Sequence, residues 1–252
     1  VPAYYEPLGD GRFRSLPTTA GPWSPDDQHG GPPSALIAGA LQAAGDRPEM
    51  MMARVTTEIL GPIKVDDLTL EVTVTRPGRR VERIEGTLSQ RGRTVLAASA
   101  WRIARTTLAT PDPPPLLPPP IPERRDLVDA THYLGSIEWA PVTGSFYQPG
   151  SSTVWTRLRG QVIDGQDPTP LQRVIAVADS GNGVSQTFPM ASTWFINPEL
   201  TVHLHREAVG AWILLDAVTV SSAGGVGLAS SALSDQRGPL GRGAQALLIA
   251  AR

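Results

Sequence analysis

The sequence predicts an α+β fold made of two tandem copies of one unit, each an antiparallel sheet wrapped round a central helix. Three observations carry this. The stretch Val55–Leu70 aligns with Leu200–Leu215 at a spacing of 145 residues, and Gln90-Arg91-Gly92 aligns with Gln236-Arg237-Gly238 at a spacing of 146. Each half holds one apolar run of helical character among stretches that alternate like strands. Between the halves, eight prolines fall within residues 111–122. A near-constant offset over such a length implies duplication, and binding sites tend to form where two such units meet.

The elements follow in order. Residues 1–28 are rich in Gly, Pro and aromatics, with Tyr4, Tyr5, Phe13 and Trp23 among turn residues, which predicts one or two short strands. Pro32-Pro33-Ser34 then opens the run Ala35–Ala44, a helix ended by Gly45-Asp46. It has almost no polar face, so it is expected to be enclosed on most sides. Residues 53–60 and 67–76 alternate as strands, and 82–89 with 93–103 form a hairpin across Gln90-Arg91-Gly92. The proline run excludes helix and central strand and reads as a stiff extended linker.

The second unit repeats the order. Residues 143–158 contain the strand-like Ser145-Phe146-Tyr147 and Thr153-Val154-Trp155-Thr156. Pro168-Thr169-Pro170 opens a helix over Leu171–Asp179, with Gly181 and Gly183 ending it. Strands are expected at 199–205, 212–222, 226–234 and 240–250, the last two joined by Gln236-Arg237-Gly238. The domains are therefore 1–108, a linker at 109–125, and 126–252.

Composition narrows the function classes. The chain has 252 residues, enough for two units of about 120 residues. A net charge of -2 gives no strong pull toward nucleic acid or anionic membrane. There is no cysteine, which excludes disulfides and thiolate nucleophiles. Apolar runs fall far short of the roughly 20 residues of a membrane span, and no secretory signal is visible, so the expected location is the cytoplasm. Lys64 is the one lysine among 22 basic residues, which reads as codon bias.

Certain residues sharpen the picture. Gln28-His29-Gly30-Gly31-Pro32-Pro33 at the first helix start resembles the Gly-Gly turn of hotdog thioesterases. Asp179 at the end of the second helix, His205-Arg206 and Gln245 in the last strand resemble type II acyl-CoA thioesterases. A long antiparallel sheet round one helix, duplicated in one chain, is similar to their double hotdog fold. The resemblance covers nearly the whole chain. It implies a carboxylate, a hydroxyl and a Gln amide holding water against a thioester, with Asp179 as the carboxylate and Gln245 as the amide. Registering on His205-Arg206 puts Asn197 where that family has Thr or Ser. Thr201 carries a hydroxyl four residues later, on the same face of a strand that runs through both. Both stay open here.

The chemistry fits these groups. With no cysteine and no Gly-x-Ser-x-Gly elbow, water is the expected nucleophile. Asp179 is placed to take its proton, and Gln245 with Asn197 or Thr201 to orient it. Backbone N–H groups near Gly31 would face the carbonyl oxygen, where glycine admits substrate and the helix start carries partial positive charge. Gly30, Gly31 and His29 belong to one unit and Asp179 to the other, which puts the site between them. Ser99 is the repeat partner of Gln245 and the first helix has no acid opposite Asp179, so one site per chain is expected. Other roles compete: His29 can brace its turn, and Asp179 can close its helix, although an acid at that end opposes the dipole. His203 and His205 alternate without a third ligand, so no metal is expected. The sequence thus reads as an acyl-CoA thioesterase needing no cofactor, with an acyl-CoA as its partner, no nucleic acid or membrane, and homodimer formation through sheet edges. The rival reading is a non-catalytic acyl-thioester binding protein of the same fold.

Overall fold

The structure is a computed structural model that describes residues 2–107, 116–125, 132–144 and 148–252. The first half holds β1 (Tyr5–Gly9), β2 (Arg12–Ser15), α1 (Gly31–Ala43), β3 (Met50–Ile59), β4 (Asp67–Arg76), β5 (Val81–Gln90) and β6 (Arg93–Ala104). The second holds α2 (Tyr133–Ser136), β7 (Ile137–Thr143), β8 (Ser152–Leu158), α3 (Pro170–Ala178), α4 (Gly181–Val184) and β9 (Thr193–Ile196). It closes with β10 (Glu199–Leu204), β11 (Trp212–Ser221), β12 (Val226–Asp235) and β13 (Gly238–Ala251). The strands form one sheet in the order β1-β2-β4-β5-β6-β3-β10-β13-β12-β11-β8-β7, with β9 added on β13 and every named pair antiparallel.

Alternation makes these strands: in β5, buried and half-buried residues alternate along the whole of Val81–Gln90. The buried faces close on α1 and α3. Leu36, Ile37 and Leu41 of α1 and Val174, Ile175 and Val177 of α3 join one core with Val55, Leu88, Leu96, Val202, Leu215 and Leu233 from both halves of the sheet. Each such large side chain contributes about 1.5–3 kcal/mol on burial. As expected, α1 is enclosed along most of its length, with Gly31 through Ala38 and Leu41 buried.

The duplication is visible in the register. Strands β4, β5 and β6 begin at Asp67, Val81 and Arg93, and β11, β12 and β13 at Trp212, Val226 and Gly238, each 145 residues on. Strand β3 pairs with β10 so that Thr56 faces Thr201, the one pair in that register whose members are themselves 145 apart. A local two-fold axis therefore passes between these two threonines, whose hydroxyls lie 3.1 Å apart. Helices α1 and α3 start at Gly31 and Pro170, 139 residues apart. The second half thus inserts six more residues between helix and strand, where α4 and β9 lie.

Several expectations are corrected. The first helix begins one residue earlier than expected, at Gly31, with Pro32 and Pro33 in its first turn as the sequence suggested. Gly181 and Gly183 belong to α4, a further turn of helix after α3. The Gln-Arg-Gly match is one residue out of register: Gln90 closes its hairpin against Arg93, and Asp235 closes the other against Gly238. Arg91 and Gly92 turn through φ of 49° and 77°, whereas the second turn confines positive φ to Gly238. Ala229 faces Gln245 and Ile84 faces Ala100, so the partner of Gln245 is Ala100 rather than Ser99. Strands β7 and β9 and helix α2 were not expected. Residues 111–115 of the proline run and Ser145–Tyr147 lie outside the described residues. The remainder of the run has neither helix nor strand, and the Pro119 carbonyl accepts from Trp155 Nε1 at 3.0 Å.

Candidate functional site

Helices α1 and α3 lie side by side and antiparallel: a Cβ on Gly31 would strike the carbonyl oxygen of Ala176, and at the other end Thr169 Oγ1 donates to Gln42 Oε1 at 2.9 Å. The start of α1 therefore meets the end of α3, and there the structure gathers His29, Gly30, Gly31, Asp179, Asn197 and Gln245.

Asp179 is the C-cap of α3, with its side chain 2% exposed. An acid is unfavourable both in that dipole field and out of water, so it requires donors. Asn197 Nδ2 donates to Oδ1 at 2.7 Å and Gln245 Nε2 to the same oxygen at 3.2 Å. Gln245 is itself fixed: Nε2 also donates to the Asp179 carbonyl at 2.9 Å, and Oε1 accepts from the Asn182 N–H at 3.1 Å. Gly181 makes room for it, since a Cβ there would lie 3.0 Å from Oε1 and 2.6 Å from Ser231 Oγ. The six extra residues of the second half thus place α4 over Gln245 and carry the chain round to Asn197.

With Oδ1 taken by both amides, Oδ2 faces the first half. It lies 3.1 Å from His29 Nδ1, and a Cβ on Gly30 would stand 2.7 Å from it. The two glycines therefore have distinct reasons. Gly30 admits the carboxylate, and Gly31 admits the backbone of α3. Both reasons lie within the protein and are separate from the substrate access expected from the sequence. At positions N1 to N3 of α1, Pro32 and Pro33 have no N–H, which leaves Gly31 as the sole donor there. That N–H donates to His29 Nδ1 at 3.0 Å.

His29 is held on both sides. Its own N–H donates to the Thr19 carbonyl at 2.8 Å, and its ring stacks on Tyr133 with centroids 3.8 Å apart and planes at 13°. Tyr133 is fully buried. Burial pushes its phenol well above its usual range, so the group remains protonated, donating to the Ala176 carbonyl at 2.7 Å and accepting from Ser180 Oγ at 2.8 Å. Tyr133 and Asn182 carried no sequence signal. One follows the proline run and the other lies in a stretch read as the end of a helix.

Thr201 is not among these contacts. Its hydroxyl lies on the two-fold axis against Thr56 and donates to Glu199 Oε2 at 3.1 Å. Asn197 precedes β10, so strand alternation does not carry from one to the other. His205 and His203 are exposed, and the described residues contain no group of three or more side chains suited to a metal. Arg206 is a structural clamp: its Nη1 and Nη2 each reach Asp235 at 2.7 Å, and it donates to the Gly238 and Pro239 carbonyls. No helix among the described residues is long and apolar enough to cross a membrane.

Comparisons with known proteins agree with this architecture. The acyl-CoA thioesterase N-terminal domain family matches residues 19–103, and the acyl-CoA thioesterase C-terminal domain family matches 106–249. Among solved structures, an acyl-CoA thioesterase II of Mycobacterium marinum superposes with a TM-score of 0.70 at 18% identity, covering 98% of this chain and 95% of its own. A hot dog fold protein of unknown function from Alicyclobacillus acidocaldarius gives 0.71 at 17% identity over 98% and 95%. A Thermobifida fusca protein described as a candidate thioesterase II gives 0.75 at 19% identity over 98% and 95%. The fold is thus the double hotdog. No curated protein sequence matches the chain significantly.

Proposed function

The chain belongs to the acyl-CoA thioesterase family, and from that premise we propose that it cleaves its thioester with a water activated by Asp179. It is a thioester hydrolase whose substrate is an acyl-CoA. The observation that carries the proposal is a carboxylate 2% exposed, held at one oxygen by two side-chain amides while the other oxygen faces the start of α1. A buried acid costs stability even when amides hold it, and a carboxylate kept in such a position is a candidate for the chemistry.

The chemistry runs as follows. Water bound at Asp179 Oδ2 loses its proton to that oxygen as its own oxygen bonds to the thioester carbon. The carbonyl π pair moves to oxygen, and the Gly31 N–H stabilises the charge that develops there. Collapse of the tetrahedral species breaks the C–S bond, and the proton passes to the departing sulfur, giving free acid and coenzyme A. Asn197 and Gln245 act by fixing the carboxylate, and Asn197 takes the place where a hydroxyl was sought. The acyl chain, an apolar one, would enter between the halves.

The test is thiol release from a panel of acyl-CoAs. Asp179→Asn is expected to lower kcat by about 10³ and Asn197→Ala by about 10-fold, with melting temperatures retained. A loss under about tenfold in Asp179→Asn would remove Asp179 from the base role. Native protein that binds acyl-CoA and releases no thiol at any chain length would support the binding-protein reading instead.

A further inference from the structure

We infer that His29 is a positioning residue that couples the proton taken by Asp179 to the donor offered to the substrate oxygen. This rests on the reading of Asp179 as base. The geometry at Nδ1 carries it. That single atom is 3.0 Å from the Gly31 N–H and 3.1 Å from Asp179 Oδ2. One ring nitrogen has either a lone pair or a proton, so it cannot serve both neighbours at once. With the lone pair present, Nδ1 accepts from Gly31 and presents no donor to the carboxylate. With a proton present, Nδ1 donates to Asp179 and Gly31 loses its acceptor.

The two states match the two stages of hydrolysis. Before attack, Gly31 is satisfied by His29 and Asp179 is free to accept. When water attacks, its proton arrives on Asp179 Oδ2 and passes to Nδ1 along the same contact. The imidazolium then donates back to the carboxylate, and the Gly31 N–H is released as charge develops on the thioester oxygen. On collapse the proton returns through Asp179 to sulfur, and Nδ1 recaptures Gly31. Protons and electrons balance without any added reagent. The surroundings suit a ring that must not turn. Tyr133 stacks flat against it and is tied by hydrogen bonds to Ala176 in α3 and to Ser180 just beyond it, and the side chain of His29 is only 14% exposed. Pro32 and Pro33 ensure that no neighbouring N–H of the first turn substitutes for Gly31. The mirror position in the second unit, Pro168 ahead of Thr169 and Pro170, has neither the imidazole nor the N–H.

The experiment compares native protein, His29→Phe, His29→Asn and Asp179→Asn on an acyl-CoA that the native protein turns over. Phe keeps the stack on Tyr133, and Asn keeps an acceptor for Gly31 without accepting a proton. Both are expected to lose kcat by about 10- to 100-fold with KM within about threefold. In mixtures of light and heavy water, the native rate should curve with deuterium content, as two moving protons require, and become linear in both variants. Nitrogen-15 NMR of the free protein should show Nδ1 unprotonated. A native-like kcat in His29→Phe or His29→Asn, a loss confined to KM, or unchanged curvature would overturn the coupling while leaving Asp179 in place. Retained turnover in Asp179→Asn would overturn the base reading itself.

Discussion

Two places in this molecule are related by the local two-fold axis, and they differ in every chemically useful residue. At one, Gly31 starts α1 beside Asp179, Asn197 and Gln245. At the other, Pro170 starts α3. Aligning the helix starts sets Ala40 against Asp179, and the strand offset sets Met52 against Asn197 and Ala100 against Gln245. The second place loses its carboxylate and both amides, and proline removes the N–H that Gly31 retains. It is still a small hollow, lined by Met52, Leu171, Val174, Leu204 and Ala208 with Gln42 and Glu207 at its side, but neither polar residue stands at the place of Asp179, Asn197 or Gln245. Duplication supplied two sites. A buried polar group carries a cost unless paired, so the site without a use has become packing.

Substitution at the helix caps should break this comparison most sharply. Gly30 caps α1, and Gly30→Ala would put a Cβ 2.7 Å from Asp179 Oδ2 and 2.9 Å from Ile59 Cδ1. Displacing the carboxylate should cost kcat about 100-fold, while binding of a non-hydrolysable acyl-CoA thioether changes little. Thr169 is its mirror and closes a capping box with Gln172. Thr169→Ala should cost about 1 kcal/mol of stability, read as a lower melting temperature, and leave kcat at the native value. Equal effects of the two changes on kcat would show that both ends matter to turnover.

The hairpins give a second contrast, in stability and not in turnover. Gln90 and Asp235 are counterparts. Gln90 Oε1 accepts from the Lys64 N–H at 2.8 Å, and Asp235 Oδ2 from the Val209 N–H at 2.7 Å, with Lys64 and Val209 again 145 apart. An amide returns the bond, through Nε2 to the Lys64 carbonyl. A carboxylate has only acceptors, so the second half supplies Arg206. Burial alone would raise the Asp235 carboxyl, but Arg206 and the Val209 and Arg237 N–H groups outweigh it and hold it below its usual value. Arg206→Ala should cost about 3 kcal/mol, because Asp235 is left buried and charged, against about 1 kcal/mol for Gln90→Ala. The sign follows from the depressed carboxyl. Its stabilisation is full above the unfolded value and is lost as pH falls through the folded one. Denaturant titrations between neutral and acid pH should show this loss in native protein and its reduction in Asp235→Asn.

Much of this was legible in the residues. The 145-residue offset and the alternation of 67–76 and 93–103 give the two-unit α+β fold, and Asp179 and Gln245 stand out as polar groups in apolar surroundings. Other parts were not legible, for physical reasons. The Gln-Arg-Gly coincidence misled by one residue because hairpin register depends on which φ the turn adopts, and Gln236-Arg237 turns differently from Arg91-Gly92. That shift moved the partner of Gln245 from Ser99 to Ala100. Asn197 could not be separated from Thr201 because the strand starts between them, and alternation says nothing before a strand begins. Tyr133 was invisible because a stack across the interface between halves leaves no local pattern.

The smallest expected effect is the most direct test of the asymmetry. Because the mirror site has Ala40 at the place of Asp179 and proline at the place of Gly31, changes within it should leave turnover untouched. Met52→Leu exchanges one apolar side chain for another of similar volume, so stability should move by less than about 1.5 kcal/mol and kcat by less than about twofold. Calorimetric titration with an acyl-CoA thioether should give one ligand per chain in both native protein and Met52→Leu. A stoichiometry of two would mean that the mirror hollow binds acyl groups in its own right. One ligand per chain that is lost in Gly30→Glu, whose added charge faces Asp179, and retained in Met52→Leu would place the whole of substrate recognition at the end of α3, where the duplicated halves ceased to be equivalent.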